Sequence, residues 1–327
     1  MERTIQGLKE LQALPLNIKV AMTCSRIRSW VQEFGEDGVY VSFSGGKDST
    51  VLLDLVRNKC GYNVRAMFVD VPTQYPELKD FVKTFPDVDI VKPKISFVEV
   101  CRKYGFPLIS KEVSQKVQEG KKYDPLTGKN KAAHDHFTER TGQYGMQRYA
   151  FLLDSEFEVS NMCCNVMKKN PAKKYERDTG RRPMTAMMAE ESRLRQQQWL
   201  KHGCNAFDDK KRPISNPMSF WTENDVLEYI VKNDLKICSV YGEVIPLNGQ
   251  LTFDIDGCTK YETTGCKRTG CMLCGFGAQS EKVSRFEVLK ELHPGMYKLL
   301  DTCTNNGYTF REAIEWCNEH GDLHIRL

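Results

Sequence analysis

Residues 39–53 read Val-Tyr-Val-Ser-Phe-Ser-Gly-Gly-Lys-Asp-Ser-Thr-Val-Leu-Leu: an apolar run, two glycines, then charged and hydroxyl residues opening an amphipathic stretch. That order predicts a buried strand, a tight turn and the first turn of a helix. Gly45 and Gly46 let the backbone come close to an anion, and the unpaired N–H groups and dipole of a helix start attract negative charge. Ser42, Ser44 and Ser49 add hydroxyls, Lys47 adds a point charge suited to phosphate, and Asp48 is a carboxylate suited to Mg²⁺. The chemistry expected is binding of a phosphorylated ligand and neutralisation of charge on a leaving group. The spacing differs from G-x-x-x-x-G-K-[ST]. The plainer reading is a Gly-Gly turn with no ligand.

Cysteine supplies the second candidate chemistry. Cys163 and Cys164 are adjacent, and Cys271-Met272-Leu273-Cys274 is a C-x-x-C. Four thiolates are the number that holds a [4Fe–4S] cluster, and an S₄ set also suits structural zinc. Cys258 and Cys266 with Cys271 and Cys274 form a competing local quartet, and any of these thiols could instead be small core residues. Thirteen cysteines, no signal-like N-terminus and no apolar run of about 18 residues suggest a cytoplasmic protein with no membrane association. Thiols kept reduced there favour metal or redox roles over disulfides.

The elements that must position these residues follow from apolar spacing. Helices are predicted over 17–34, from the phosphate loop through Val56, and over 75–85, 97–103, 190–201, 281–291 and 310–319. Strands are predicted over 39–43, 64–69, 88–91 and 183–187. Thr222, with Asp225 three residues on, caps a further helix. Residues 111–143 read as a long polar loop. Alternating strands and helices imply an α/β fold with a parallel sheet, whose ligands sit beyond the carboxyl ends of the strands, where Ser44 to Ser49 and Asp70 fall. The expected organisation is a helical segment (1–35), an α/β nucleotide domain (36–240) and a cysteine-rich, mostly helical extension (241–327). A composition of 40% hydrophobic and 28% charged residues is that of a globular chain, and a net charge of +4 does not by itself demand a polyanionic partner. Basic residues do cluster, in Lys116, Lys121, Lys122, Lys129 and Lys131 and again between Lys168 and Arg182.

The loop Ser44 to Ser49 resembles the Ser-Gly-Gly-Lys-Asp-Ser loop of the PP-loop ATP pyrophosphatases, which split ATP between its α and β phosphates. Cys-Cys, a long interval and Cys-x-x-Cys resemble the cluster signature of the phosphoadenylyl sulfate (PAPS) reductases, which share that fold. Residues 68–77 (Phe-Val-Asp-Val-Pro-Thr-Gln-Tyr-Pro-Glu), 184–195 (Met-Thr-Ala-Met-Met-Ala-Glu-Glu-Ser-Arg-Leu-Arg) and 217–226 (Pro-Met-Ser-Phe-Trp-Thr-Glu-Asn-Asp-Val) are similar to that family's segments. The phage-type reductase-like subgroup is the nearest likeness, through residues 163–169 and 268–274. The resemblance implies ATP and Mg²⁺ on the loop, with Lys47 and Asp48 catalytic and Asp70 and Thr73 bordering adenosine. Arg193 and Arg195 would grip substrate phosphate; being two apart on a helix, only one would face it. It also implies a [4Fe–4S] cluster on Cys163, Cys164, Cys271 and Cys274.

Two departures narrow the activity. Those reductases place a catalytic thiol in a C-terminal Glu-Cys-Gly-x-His, whereas this chain has Cys317 and His320 in another order. They have usually lost the loop lysine, which Lys47 retains. Both favour an adenylating ATP pyrophosphatase in sulfur metabolism, with DNA or RNA as the acceptor and a cysteine desulfurase or thiol electron donor as partner. Two alternatives stand beside it: a PAPS reductase using Cys317 or Cys303, and a non-catalytic nucleotide- and cluster-bearing sensor or assembly subunit.

Overall fold

Val39–Ser42 form β1, the central strand of a six-stranded sheet, and Val39, Tyr40 and Val41 are fully buried in it. The computed structural model describes residues 3–142, 145–207, 212–247 and 259–327. The chain divides into two units, each discontinuous in sequence and each drawing on both the 36–240 and the 241–327 spans. The first comprises Met1–Asp70, Tyr75–Val91 and Ala172–Thr269; the second comprises Val71–Gln74, Lys92–Pro171 and Gly270–Leu327.

The first unit carries the sheet. Its strands are β1, β2 (Ala66–Val69), β3 (Val88–Val91), β4 (Arg182–Met184), β5 (Asn205–Ala206) and β6 (Ile214–Ser215), in the order β3-β2-β1-β4-β6-β5. All neighbours are parallel except the β5–β6 edge pair. The fold is therefore α/β with a mostly parallel sheet. The order reverses at β1, so the chain leaving its carboxyl end enters the crevice where such sheets take ligands.

Four helices fix that crevice: α1 (Leu16–Phe34), α2 (Lys47–Asp54), α3 (Arg193–His202) and α4 (Glu223–Lys232). Ile27 and Trp30 of α1, Val51 and Leu52 of α2, and Val226 and Tyr229 of α4 share one core with Phe43, Phe68 and Trp221. Thr222 and Asp225 form the expected capping box, Asp225 N–H donating to Thr222 Oγ1 (3.2 Å) and Thr222 N–H to Asp225 Oδ2 (2.6 Å). The same carboxylate takes the buried Lys19 ammonium at 2.7 and 2.8 Å, tying α4 to α1. Tyr229 then donates to Asp54 at 2.6 Å, tying α4 to the end of α2.

The second unit is built largely of helices, among them Phe97–Tyr104, Lys111–Gly120, Lys131–Thr138, Arg285–Leu292 and Phe310–Gly321. A short parallel pair joins Leu108–Ile109 to Gly275–Phe276. Phe106 stacks on Phe310 with centroids 5.1 Å apart, and Phe157 meets Trp316 edge-on. No helix among the described residues is long and apolar enough to cross a membrane.

Three sequence expectations change. Residues 111–143 are not a loop over their length but hold the helices Lys111–Gly120 and Lys131–Thr138. Each buries an i,i+4 apolar pair, Val113 with Val117 and Ala133 with Phe137, a stripe narrow enough to be masked by surrounding charge. The strand expected at 183–187 is Arg182–Met184. The helix expected from Glu190 begins at Arg193, because Ser192 is its N-cap and accepts from Arg195 N–H.

Asp225 neutralises a buried lysine and caps α4 at once. Asp225→Ala should lower the free energy of urea unfolding by about 3–5 kcal/mol, because it strands the Lys19 ammonium. The double variant Lys19→Met, Asp225→Leu should recover most of that loss. A cost below about 1 kcal/mol for the single change would show that the pair does not hold α4.

Candidate functional site

The chain leaves β1 at Ser42 and turns through Gly45, whose φ of +73° places it in the left-handed region. A Cβ there would also lie 3.0 Å from Val82 and 3.2 Å from the Leu78 carbonyl, so a side chain is excluded twice. Hydroxyls hold the turn: Ser44 N–H donates to Ser49 Oγ at 3.1 Å, Ser49 Oγ to the Gly46 carbonyl at 2.9 Å, and Gly46 N–H to Ser44 Oγ at 3.3 Å. Gly46 is the N-cap of α2, and no side chain of its own satisfies the helix start. Ser44, Gly45, Gly46, Lys47, Asp48 and Ser49 thus lie together at the carboxyl end of the central strand, with Ser42 as its last residue.

Lys47 is 3% exposed. Its ammonium lies 3.2 Å from Glu223, 3.5 Å from Asp48 and 3.1 Å from the Lys267 carbonyl. Asp48 Oδ1 is buried, and the Lys47 ammonium 3.5 Å away is its ion-pair partner. Burial raises the Asp48 carboxyl above its ordinary range, with Lys47 opposing. A buried carboxylate beside a phosphate loop has the oxygen chemistry that suits a hard cation such as Mg²⁺.

Arginines border the same region. Arg195 is half-buried and ion-paired with Glu191, whereas Arg193 is exposed. Burial, with Arg268 nearby, depresses Arg195, and Asp48 opposes that shift. Of the two arginines expected from sequence, Arg195 is the inward one. Asp70 pairs with Lys79 at 2.6 Å.

The thiols form a separate site within the second unit. Cys163, Cys164, Cys271 and Cys274 line one cavity with Thr73 and Lys168. Cys163 and Cys164 belong to a single helical turn, Met162–Cys164. The C-x-x-C loop is pinned by Met272 N–H donating to the Thr73 carbonyl (2.8 Å), Cys274 N–H to the Cys271 carbonyl (3.1 Å) and Arg285 to the Cys274 carbonyl (2.8 Å). Hydrogen bonding to Cys163 pulls the Cys164 thiol down, helped by Lys111, Lys168 and Lys169. Burial alone would depress Lys168, but Cys271 and Cys164 hold its ammonium above the usual value. Among the described residues no three His, Cys, Asp or Glu side chains close on a point that could hold a single metal ion.

Thr73, expected beside adenosine, lines this thiol cavity, and its buried hydroxyl has no hydrogen-bond partner among the described residues. Cys266, from the competing quartet, belongs to the first unit and lies 3.8 Å from the Tyr75 hydroxyl; Cys258 falls outside the described residues. Sequence reading passed over Glu223, Tyr241, Lys168 and Arg268 as site residues. The cap at Thr222 gave a usable signal for Glu223, since it fixes that residue at the first position of α4.

Glu223 occupies Lys47 where an anion would. Glu223→Gln should tighten binding of inorganic pyrophosphate by about two- to fivefold in calorimetry, the scale of a half-exposed ion pair. Weaker binding by the variant would show that Glu223 does not compete.

A profile of the phosphoadenosine phosphosulfate reductase domain matches residues 38–275. Among curated proteins no relative is found. Among solved structures, the phosphoadenylyl-sulfate reductase of Candida auris in its phosphate complex is similar at 17% identity, over 73% of this chain and 91% of that one, with a TM-score of 0.39.

Proposed function

Because the chain belongs to the phosphoadenosine phosphosulfate reductase domain family, we propose that it is a PP-loop enzyme that adenylates a substrate from ATP and releases pyrophosphate. The observation that carries this reading is the buried Lys47 ammonium at the start of α2, ion-paired with the adjacent Asp48 carboxylate. A sulfonucleotide has no β and γ phosphates to call for that pair. A triphosphate with Mg²⁺ uses both.

In this reading the β and γ phosphates would rest on Ser44 to Ser49, and Asp48 would hold Mg²⁺. A nucleophilic oxygen of the substrate attacks the α phosphorus, the bond to the bridging oxygen breaks, and pyrophosphate leaves with the electron pair. Lys47 and the N–H groups at the helix start stabilise that charge. Arg195 and Arg268 stand where they can hold phosphate of the nucleotide or acceptor. The basic stretch from Lys168 to Arg182 favours a nucleic acid acceptor, DNA or RNA, and the family itself favours a role in sulfur transfer. The likeness to the phage-type reductase-like subgroup rests on residues 163–169 and 268–274.

The thiol cavity supports an iron–sulfur reading: four sulfurs from two segments border one space, with the half-buried Lys168 beside them and the Thr73 hydroxyl lacking a partner among the described residues. Cys163, Cys164, Cys271 and Cys274 would hold a [4Fe–4S] cluster, which when bound would supply one-electron or sulfur-handling chemistry. Direct reduction of a sulfonucleotide is less well served. Cys303 and Cys317 are both 0% exposed, and burial pushes the Cys317 thiol up to about 12, so neither is a ready nucleophile.

Anaerobically purified protein given ATP and Mg²⁺ should release pyrophosphate, and Lys47→Ala should lower that rate by about 100-fold or more. Sulfite from phosphoadenylyl sulfate and a dithiol, with no pyrophosphate from ATP, would reverse the assignment. Separately, Cys163→Ala or Cys271→Ala should lose bound iron while Cys266→Ala keeps it. Full iron in Cys163→Ala would refute the ligand set.

A further inference from the structure

The backbone N–H of Lys47 is the donor best placed to meet a phosphate oxygen, and it already has a partner. It donates to the Tyr241 hydroxyl at 3.2 Å. That hydroxyl lies 2.7 Å from Thr269 Oγ1, a contact in which either hydroxyl can donate. It also stands 3.1 Å from where a Cβ on Gly46 would be, so the second loop glycine makes room for Tyr241.

The two hydroxyls differ in how firmly they are held. Tyr241 is 2% exposed and packs with Leu78 and Cys238. Its turn is locked by Gly265 N–H donating to the Tyr241 carbonyl (2.9 Å) and Cys266 N–H to the Val240 carbonyl (2.8 Å). Thr269 is half-buried at the end of a segment in which Lys267 and Arg268 are exposed. Burial pushes the Tyr241 phenol up to about 12, so it keeps its proton near neutral pH. The Lys47 ammonium lies 5.6 Å from its ring centre.

We propose that Tyr241 is a phosphate-binding residue of this site, and that Thr269 holds its hydroxyl until a phosphate oxygen of the nucleotide or of pyrophosphate takes Thr269's place. Tyr241 then donates O–H to the anion while its oxygen still receives the Lys47 N–H, a relay in which each bond polarises the next. The inference rests on the nucleotide reading and adds to it a donor from outside the glycine loop. It also assigns Thr269 the role of a displaceable stand-in for a phosphate oxygen.

The two residues carry opposite expectations. Calorimetric titration with inorganic pyrophosphate and Mg²⁺, and with ATP and Mg²⁺, is made on the full chain and on Tyr241→Phe and Thr269→Val. Tyr241→Phe should weaken both ligands by about tenfold or more, the loss of a hydrogen bond to a charged group. Thr269→Val should bind at least as tightly as the unaltered protein. Binding by Tyr241→Phe within twofold of the unaltered protein, or weakening of Thr269→Val as large as that of Tyr241→Phe, overturns the proposal and leaves the nucleotide reading standing. No binding by the unaltered protein overturns the nucleotide reading itself. Should Tyr241→Phe fail to fold, as judged by urea unfolding, Thr269→Val decides alone: a loss beyond about threefold overturns the proposal.

Discussion

Moving an ammonium ion out of water costs more than any single contact returns, and Lys47 is almost wholly out of water. Its neighbours follow from that constraint. Asp48 is adjacent in sequence, but Glu223 arrives only because α4 starts at the strand ends. That start is set by a capping box, and the capping carboxylate is itself held by the buried Lys19 ammonium. One buried cation therefore positions the helix that supplies the counter-charge for another. The apolar core of Trp30, Trp221 and Tyr229 supplies the low dielectric that makes both pairs necessary.

The thiol site answers the same constraint with the opposite sign. Sulfur is soft and tolerates burial as a thiol, but a thiolate needs a cation or a metal. Lys168 comes one turn after Cys164, so a single local segment brings both sulfur and the balancing charge to the cavity. Cys271 and Cys274 come from a loop whose backbone polar groups are taken up by Thr73 and Arg285. An N–H or guanidinium fixed to a carbonyl leaves the adjacent sulfur no freedom to turn away, which is how a loop of few residues holds soft ligands.

What the sequence made legible was what local order determines. Two glycines after an apolar run, followed by Lys-Asp-Ser, favour a tight strand-to-helix turn, and Val39 to Leu53 forms one. Thr222 with Asp225 announced a helix start, and the helix starts there. The polar stretch after Lys111 misled because burial in its two helices rests on a few residues such as Val117 and Phe137, too thin a stripe to outweigh the lysines around it. Tyr241 and Thr269 were illegible for a different reason. They are 194 and 222 positions beyond Lys47; Tyr241 sits in no charged or cysteine-bearing motif, and Thr269, though within residues 268–274, carries no local sign that it reaches the loop. Only packing brings a tyrosine hydroxyl to the loop N–H, and no spacing rule encodes it. Thr73 was assigned by its neighbourhood in sequence, yet the chain passes from the first unit to the second between Asp70 and Val71.

The charges around the loop also constrain how a ligand can bind. Lys47, Arg195 and Arg268 face Asp48, Glu191 and Glu223, three cations against three carboxylates. A set so balanced is stable without a ligand, because no buried cation is left unpaired. It also means that an incoming polyphosphate does not meet a bare positive field. On the proposed reading it would have to exchange partners: phosphate oxygens would replace Glu223 on Lys47, and a divalent cation brought with the nucleotide would replace Lys47 at the Asp48 carboxylate. Glu223 is the member built to yield, since its side chain is 42% exposed and can return to water cheaply, whereas Lys47 at 3% cannot follow it. The selectivity of such a site lies in the metal as much as in the anion. On the proposed reading, a phosphate arriving without a cation would leave Asp48 facing new negative charge, so the loop would favour the metal complex of a polyphosphate over the free anion.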